Sequence, residues 1–236
     1  MKGVYYLLLL MSMSLYISCN ELVEYYGSAK YQAYHLINTY VDTNAPKLSC
    51  YNNGGNLGVE IGFMNEGANF YYSKEFADVS QKNQSEEQLR TFINLAGKNN
   101  DSFQWTPWYE TFGESRKHQG YYQGGTLYAL TKGIIKIDIV SDADYDQKHL
   151  AGVSLMDNVK LAADIFGNVM GKTSLPADFW QDKMYSEYTA KELSVVGSWV
   201  ILKFATLPTL SKTHNLTIAI TFDDGEVYSD TVEVKF

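Results

Sequence analysis

The sequence predicts a mainly β protein: an antiparallel, immunoglobulin-like β-sandwich with one or two covering helices. Period-two alternation recurs, as in Leu57, Val59, Ile61, Phe63 and again in Ile135, Ile137, Ile139, and that period marks a half-buried strand. Asn-Gly and Asp-Gly turn chemistry separates apolar runs near residues 52–55 and 223–226. No strand–helix alternation carries a glycine fingerprint, so a doubly wound parallel fold is excluded.

The chain begins with Lys2, an apolar run over residues 4–15, and small or polar residues before Cys19, the layout of a secretory signal peptide. A membrane-spanning helix needs about 20 apolar residues, whereas this run is shorter and is broken by Ser12 and Ser14. Residues 1–18 are therefore expected to be cleaved. The segment from Leu15 to Cys19 resembles a bacterial lipobox, which implies lipidation of Cys19. Ser18 fits the small residue before the cut. Tyr16 stands where the strict pattern has leucine, so the match is to the looser form common in Bacteroidetes. Acyl chains bind a membrane through their methylenes, each worth about 0.8 kcal/mol. Residues 19–30 then form a lipidated tether, and residues 31–236 a single β-rich domain whose clearest sandwich portion is 126–236.

After the tether, residues 47–63 predict a hairpin turning at the Asn-Gly-rich 52–55. A helix follows: Ser85 and Gln88 form a capping-box pattern, Leu89, Phe92, Ile93 and Ala96 share one face, and Gly97 is expected to supply a left-handed stop. Residues 126–140 return to β character, with Ile135, Ile137 and Ile139 expected on one face and Lys136 and Asp138 on the other. A second helix is expected over 155–166, capped by Ser154 and stopped by Gly167. Pro176 is expected to start a single helical turn in "LPADFW". Three strands close the chain, the last two joined at Asp224-Gly225.

Composition narrows function. The formal net charge is −8, and loss of Lys2 with the leader makes it −9. Lysine and arginine are scattered and outnumbered, so the basic footprint of nucleic-acid binding is missing. Anionic headgroups are repelled too, so a lipid rather than charge would hold the chain to a membrane. Lipidation of Cys19 leaves Cys50 alone; a disulfide framework needs pairs, and Cys50 is expected as a small buried hydrophobe.

The stretch "IKIDIVSDADYDQKHLAGVSLMD" from Ile135, with the C-terminal "FATLPTLSKTHNLTIAITFDDGEVYSDTVEVKF", resembles a family of Bacteroidetes lipoproteins of unknown function. The likeness lies in an Ile-rich strand, a Ser-Asp-x-Asp-aromatic loop, a His-x-Ala-Gly turn and a final hairpin after Lys-x-His. Leu150 stands where that pattern has proline. The resemblance implies an envelope compartment and a β-rich fold, and it transfers no catalytic residue.

Chemistry-bearing patterns are sparse. Asp142, Asp144 and Asp146 alternate as calcium-loop ligands do, but Gln147 and Val153 occupy the places where an EF-hand has glycine and glutamate; a solvated loop is the expectation. Asp223, Asp224 and Glu226 read as turn residues. His35, His118, His149 and His214 are dispersed, without zinc spacing, and are expected at the surface or as caps. "AGVSLM" lacks the second glycine of a nucleophile elbow, and "GNVMGKTS" is one residue short of a phosphate loop. Trp105, Trp108, Tyr109, Tyr121 and Tyr122, with Gln104, Glu110 and Gln123 among them, have the composition of a glycan platform or a partner contact. "DTV", Asp230 to Val232, resembles an O-glycosylation acceptor of exported Bacteroidetes proteins.

Together these features predict a non-enzymatic outer-membrane lipoprotein, anchored through Cys19 and facing the periplasm or the cell surface, without cofactor, that binds an envelope protein or a glycan. The alternatives are a polysaccharide hydrolase with converging carboxylates and a purely structural envelope component.

Overall fold

The computed structural model describes residues 35–42, 45–101, 127–172 and 179–236. Its strands are β1 (Thr39–Asp42), β2 (Lys47–Asn53), β3 (Asn56–Gly62), β4 (Asn69–Tyr72), β5 (Tyr128–Leu130), β6 (Ile134–Ser141), β7 (Val159–Ile165), β8 (Trp180–Met184), β9 (Val196–Phe204), β10 (Thr213–Phe222) and β11 (Val227–Lys235). Helices α1 (Lys74–Ser80) and α2 (Glu86–Lys98) lie between β4 and β5 in the chain.

The strands form a sandwich. The large sheet has eight strands, in the order β2-β3-β9-β5-β1-β4 with β7 added to β9 and β8 to β7; the small sheet is β11-β10-β6. Neighbours are antiparallel except β1 and β5, which run parallel. The interior takes alternate residues of both sheets: Val59 and Ile61 from β3, Leu161 and Ala163 from β7 and Val200 and Leu202 from β9 meet Ile137, Ile139, Leu216, Ile218 and Ile220. The two sheets also meet at one side, where Tyr228 donates its hydroxyl to Pro46 O at 2.6 Å.

Half of the large sheet's outer face is covered. Alternate residues of β1, β5 and the chain entering β9 point away from the sandwich interior, and Tyr40, Ala129 and Val195 pack there with Leu36, Ile37, Phe166 and Phe179 under Phe92 and Ala96 of α2. The start of α2 is as predicted, since Ser85 Oγ accepts from Gln88 N and Gln88 returns to Ser85 N. Its end differs. The helix passes Gly97 to Lys98, and the left-handed residue is Asn100 at φ 54°. Ile93 is exposed at 54% because the buried stripe centres on Phe92 and Ala96. The short α1, capped by Ser73 Oγ accepting from Phe76 N at 3.1 Å, carries no sequence expectation.

Two further corrections concern strands. Residues 159–165 are β7, not part of a helix, preceded only by a single 3-10 turn at Met156–Asn158. Val159, Leu161, Ala163 and Ile165 share the interior face in period two, and β8 and β9 take up the strand's backbone groups. Two adjacent alanines raise local helix preference, but pairing on both edges overrides it. Ser154 accordingly caps no helix; its hydroxyl donates to Asp138 Oδ1 at 2.6 Å. Gly167 is a point of close approach instead of a stop, because a Cβ there would lie 1.9 Å from Lys191 O. In β6 the Ile135, Ile137, Ile139 face is broken: Thr221 pairs with Lys136 but Phe222 with Ile134, a β-bulge that turns Ile135 outward, 61% exposed. The turn expected at Pro176 falls outside the described residues, and Trp180 opens β8.

Candidate functional site

Two regions hold the polar and aromatic side chains that sequence reasoning singles out or passes over. The first is the loop carrying Asp142, Asp144 and Asp146. Each carboxylate is turned onto hydrogen-bond donors of the protein. Asp142 accepts from Asn215 N at 2.8 Å and Asn215 Nδ2 at 2.7 Å, Asp144 from Ala151 N at 2.9 Å, and Asp146 from the N–H groups of Lys148 and His149, both at 2.8 Å. The three acids close turns and do not gather round one point. Among the described residues no group of three His, Cys, Asp or Glu side chains is placed to hold a metal ion.

What the loop builds is a knot centred on two buried histidines. His149 is only 6% exposed; its Nδ1 faces Asp146 Oδ1 at 2.9 Å and its Nε2 faces Asp157 Oδ1 at 2.7 Å. Each ring nitrogen thus faces a carboxylate oxygen, an arrangement that favours the doubly protonated ring. Burial pulls its pKa down, but the hydrogen bonds to Asp146 and Asp157 outweigh it and hold the ring above its ordinary 6.5. Lys148 also pairs with Asp157. His214, fully buried, accepts the Ser141 hydroxyl at Nδ1 (2.7 Å) and donates from Nε2 to Ser211 O (3.1 Å). Between the two rings lies Tyr145, whose hydroxyl donates to Thr206 O at 2.6 Å and whose ring packs on Phe204, His214 and Phe236. The knot joins loops 142–153 and 205–212 and the C-terminal residue at one end of the sandwich. A Ser–His pair is present, but it is shut off from solvent and its second nitrogen meets a carbonyl, not a carboxylate, so it serves structure. Of the histidines expected at the surface or as caps, His149 and His214 are buried; His118 lies outside the described residues.

The second region is the half of the outer face away from α2, formed by β2, β3, β9, β7 and β8. The registers place Ser49 opposite Glu60, Tyr51 and Lys203 opposite Gly58, Ile201 opposite Ala162, and Ala162 opposite Asp182. Around the buried Ile201 and Ala162 most of these side chains are polar. Two tryptophans join them. Trp199 of β9 is 44% exposed, and Trp180 of β8 stands beside it with ring centroids 5.6 Å apart and planes at 42°. Lys203 reaches Asp182 at 2.7 Å and lies 5.8 Å from the centre of the Tyr51 ring, so Tyr51 and Lys203 close over Gly58. That glycine is required. A Cβ there would lie 2.0 Å from Leu202 O.

Sequence reasoning missed the tryptophan pair. A signal is present in "GSWVILKF", where Trp199 has the parity of Ile201 and Lys203, opposite to Val200, Leu202 and Phe204. The aromatic residues that the sequence points to, Trp105, Trp108, Tyr109, Tyr121 and Tyr122, lie outside the described residues, as does Cys19. Cys50 is exposed, not a buried hydrophobe; its thiol donates to Glu233 O at 2.9 Å where β2 meets β11. Asp224 holds its turn as expected, accepting from Glu226 N at 2.9 Å.

Set against protein-family models, curated proteins and solved structures, the chain matches none. Among the described residues no helix is long and apolar enough to cross a membrane.

Proposed function

We propose that this protein is a non-enzymatic, lipid-anchored component of the cell envelope, held at the outer membrane by acyl chains on Cys19, and that it serves as a binding module for a glycan or an envelope protein. The observation that carries the binding role is the half-exposed Trp199, with the Trp180 ring beside it at 5.6 Å, on a sheet face that also carries Glu60, Asp182 and Lys203. A large aromatic side chain left partly in water, where α2 covers apolar neighbours on the same sheet, marks a surface kept for contact. The occupation of His149 and His214 by structural hydrogen bonds supports a role without general acid–base chemistry.

The anchor is tested by metabolic labelling with palmitate in a bacterial host. The parent protein is expected to take up label and sediment with membranes, and Cys19→Ala to do neither. Label and sedimentation unchanged in that variant would overturn the anchor. The binding role is tested by placing a photo-crosslinking residue at position 49, opposite Glu60 on the face that carries Trp199, in cells. Adducts that disappear with Trp199→Ala are expected; identical adducts with and without Trp199 would contradict the assignment of this face.

A further inference from the structure

We propose that the end of the sandwich formed by loops 142–153 and 205–212 is a lipid-contacting surface: Leu150, Val153, Leu207 and Leu210 enter the interface of the bilayer that carries the Cys19 anchor. The proposal rests on the membrane placement given above and adds which end of the molecule meets the lipid. The contact orients an anchored molecule and does not replace the anchor.

The side chains of these loops do not suit water. Residues 150–156, Leu-Ala-Gly-Val-Ser-Leu-Met, and 204–211, Phe-Ala-Thr-Leu-Pro-Thr-Leu-Ser, contain no charged residue, although 19% of the chain is charged. Leu150 is 49% exposed, Val153 43%, Leu207 50% and Leu210 52%. A single exposed leucine needs no explanation, but four large apolar side chains on two joined loops do. The joint is Asp144 and Tyr145. Tyr145 gives its N–H to His149 O and accepts from Leu210 N, while Asp144 accepts from Ala151 N at its carboxylate and from Ser211 N at its carbonyl.

The backbone of both runs is satisfied from within. An N–H moved from water toward hydrocarbon must find its partner in the protein. In the first run Ala151 donates to Asp144 Oδ1 at 2.9 Å, Gly152 to Ser141 O at 2.7 Å, Val153 to Leu150 O at 2.9 Å and Leu155 to Ile139 O at 2.8 Å. In the second, Ala205 donates to Asn158 O at 2.8 Å, Thr206 to Asn158 Oδ1 at 2.9 Å, and Thr209 and Leu210 to Tyr145 O at 2.9 and 3.2 Å. Pro208 has no N–H to satisfy. The Tyr145 ring, packed on Phe204, His214 and Phe236, holds the two runs in a fixed relation.

Lipid suits this composition better than a protein partner does. The anchors of protein interfaces are Trp, Tyr and Arg, with Leu, Val, Ser and Thr under-represented, and neither run contains any of the first three. Lipid rewards apolar area without a matched shape. Charged groups beside the runs set the depth. Lys148 pairs with Asp157, and His149 lies between Asp146 and Asp157, so these stay at headgroup level while the leucines pass it. The chain's net charge of −8 gives anionic headgroups no hold, so zwitterionic lipid suffices. The anchor is within reach: residues 20–34, between Cys19 and His35, span at most about 50 Å. The ten residues of β10 cover about 33 Å.

The test uses the full lipidated protein, carrying Cys50→Ser, reconstituted in vesicles of phosphatidylethanolamine and phosphatidylcholine. One fluorophore is attached at Leu207→Cys, at Val153→Cys, or at Asp224→Cys in the turn at the opposite end of β10. Lipids spin-labelled on their acyl chains are expected to quench the dye at 207 and at 153 several-fold more strongly than at 224, with the parent's circular dichroism in each case and no change on adding salt. Leu210→Asp is expected to bring position 207 down to the level of 224. Position 153 keeps the test decisive should a change in loop 205–212 disturb the fold. Equal weak quenching at all three positions, with protein still on the vesicles, would overturn the lipid contact and leave the anchor in place. The same result with position-207 crosslinks to an envelope protein in cells would give this end to a protein partner instead. Quenching at 224 alone would place the opposite end at the membrane and overturn the proposal. Quenching that needs phosphatidylglycerol and vanishes in salt would replace apolar insertion by charge attraction. Protein that does not stay with the vesicles would sink the anchor and the contact together.

Discussion

The two halves of the large sheet's outer face obey opposite rules although one strand, β9, runs through both. Where the chain enters β9, Val195 lies under α2 with Tyr40, Ala129 and Phe166, in a buried cluster whose one polar group, the Tyr40 hydroxyl, is taken by Asp101. Four residues further on, Trp199 stands half in water among Lys47, Glu60 and Asp164. The difference teaches that aromatic content alone does not tell core from contact surface. What decides is the company a ring keeps across the neighbouring strands. Phe92 is buried, and Trp199 is half-exposed.

The comparison can be broken at several strengths. Phe92→Ala empties the covered half and is expected to cost about 3–5 kcal/mol of stability, read from urea unfolding. Asp101→Ala follows, at about 3 kcal/mol, because it leaves buried donors without their acceptor. The Asp101 carboxylate, itself buried, takes the N–H groups of Leu36 (2.7 Å) and Ile37 (3.2 Å) and the Tyr40 hydroxyl (3.3 Å), tying the end of α2 to the chain before β1. Gly58→Ala strikes the half away from α2 through its backbone. With a Cβ 2.0 Å from Leu202 O, β3 must move off β9, an overpacking cost of about 1–3 kcal/mol, visible as faster amide exchange in β3.

A smaller, pH-dependent effect sharpens the contrast at the far end of the sandwich. The His149 ring has its folded pKa raised above 6.5. Its contribution is therefore fully present below 6.5 and is lost as pH rises through the raised folded value. Melting temperature of the parent is expected to fall across that window, and His149→Gln to flatten the profile there. A variant that keeps the parent's slope would show that another group titrates.

Much of the fold is legible locally. Asn52 to Gly55 mark a hairpin, Ser85 and Gln88 start α2, and Asp224-Gly225 turns the chain into β11, because each signal acts within a few residues. Residues 155–166 misled because Leu161, Ala162 and Ala163 favour a helix locally, while the decision lies with β9, some forty positions away in sequence. Ile135 was misplaced because a bulge opposite Thr221 and Phe222 shifts the register by one, and one residue turns a side chain to the other face. The site is harder still. Trp180 and Trp199 meet only through the pairing of β7 with both β8 and β9, and no local rule joins them. The burial of His149 likewise depends on Tyr145, which is itself packed by Phe204 and Phe236.

The central claim is that Trp199 belongs to a surface and Phe92 to the core. Urea unfolding of Trp199→Ala, run beside Phe92→Ala, tests it most directly. A half-exposed ring with one aromatic neighbour is expected to contribute about 1–2 kcal/mol, so Trp199→Ala should lose well under half of what Phe92→Ala loses, with an unchanged unfolding slope. A loss equal to that of Phe92→Ala would place Trp199 in the core and contradict the account.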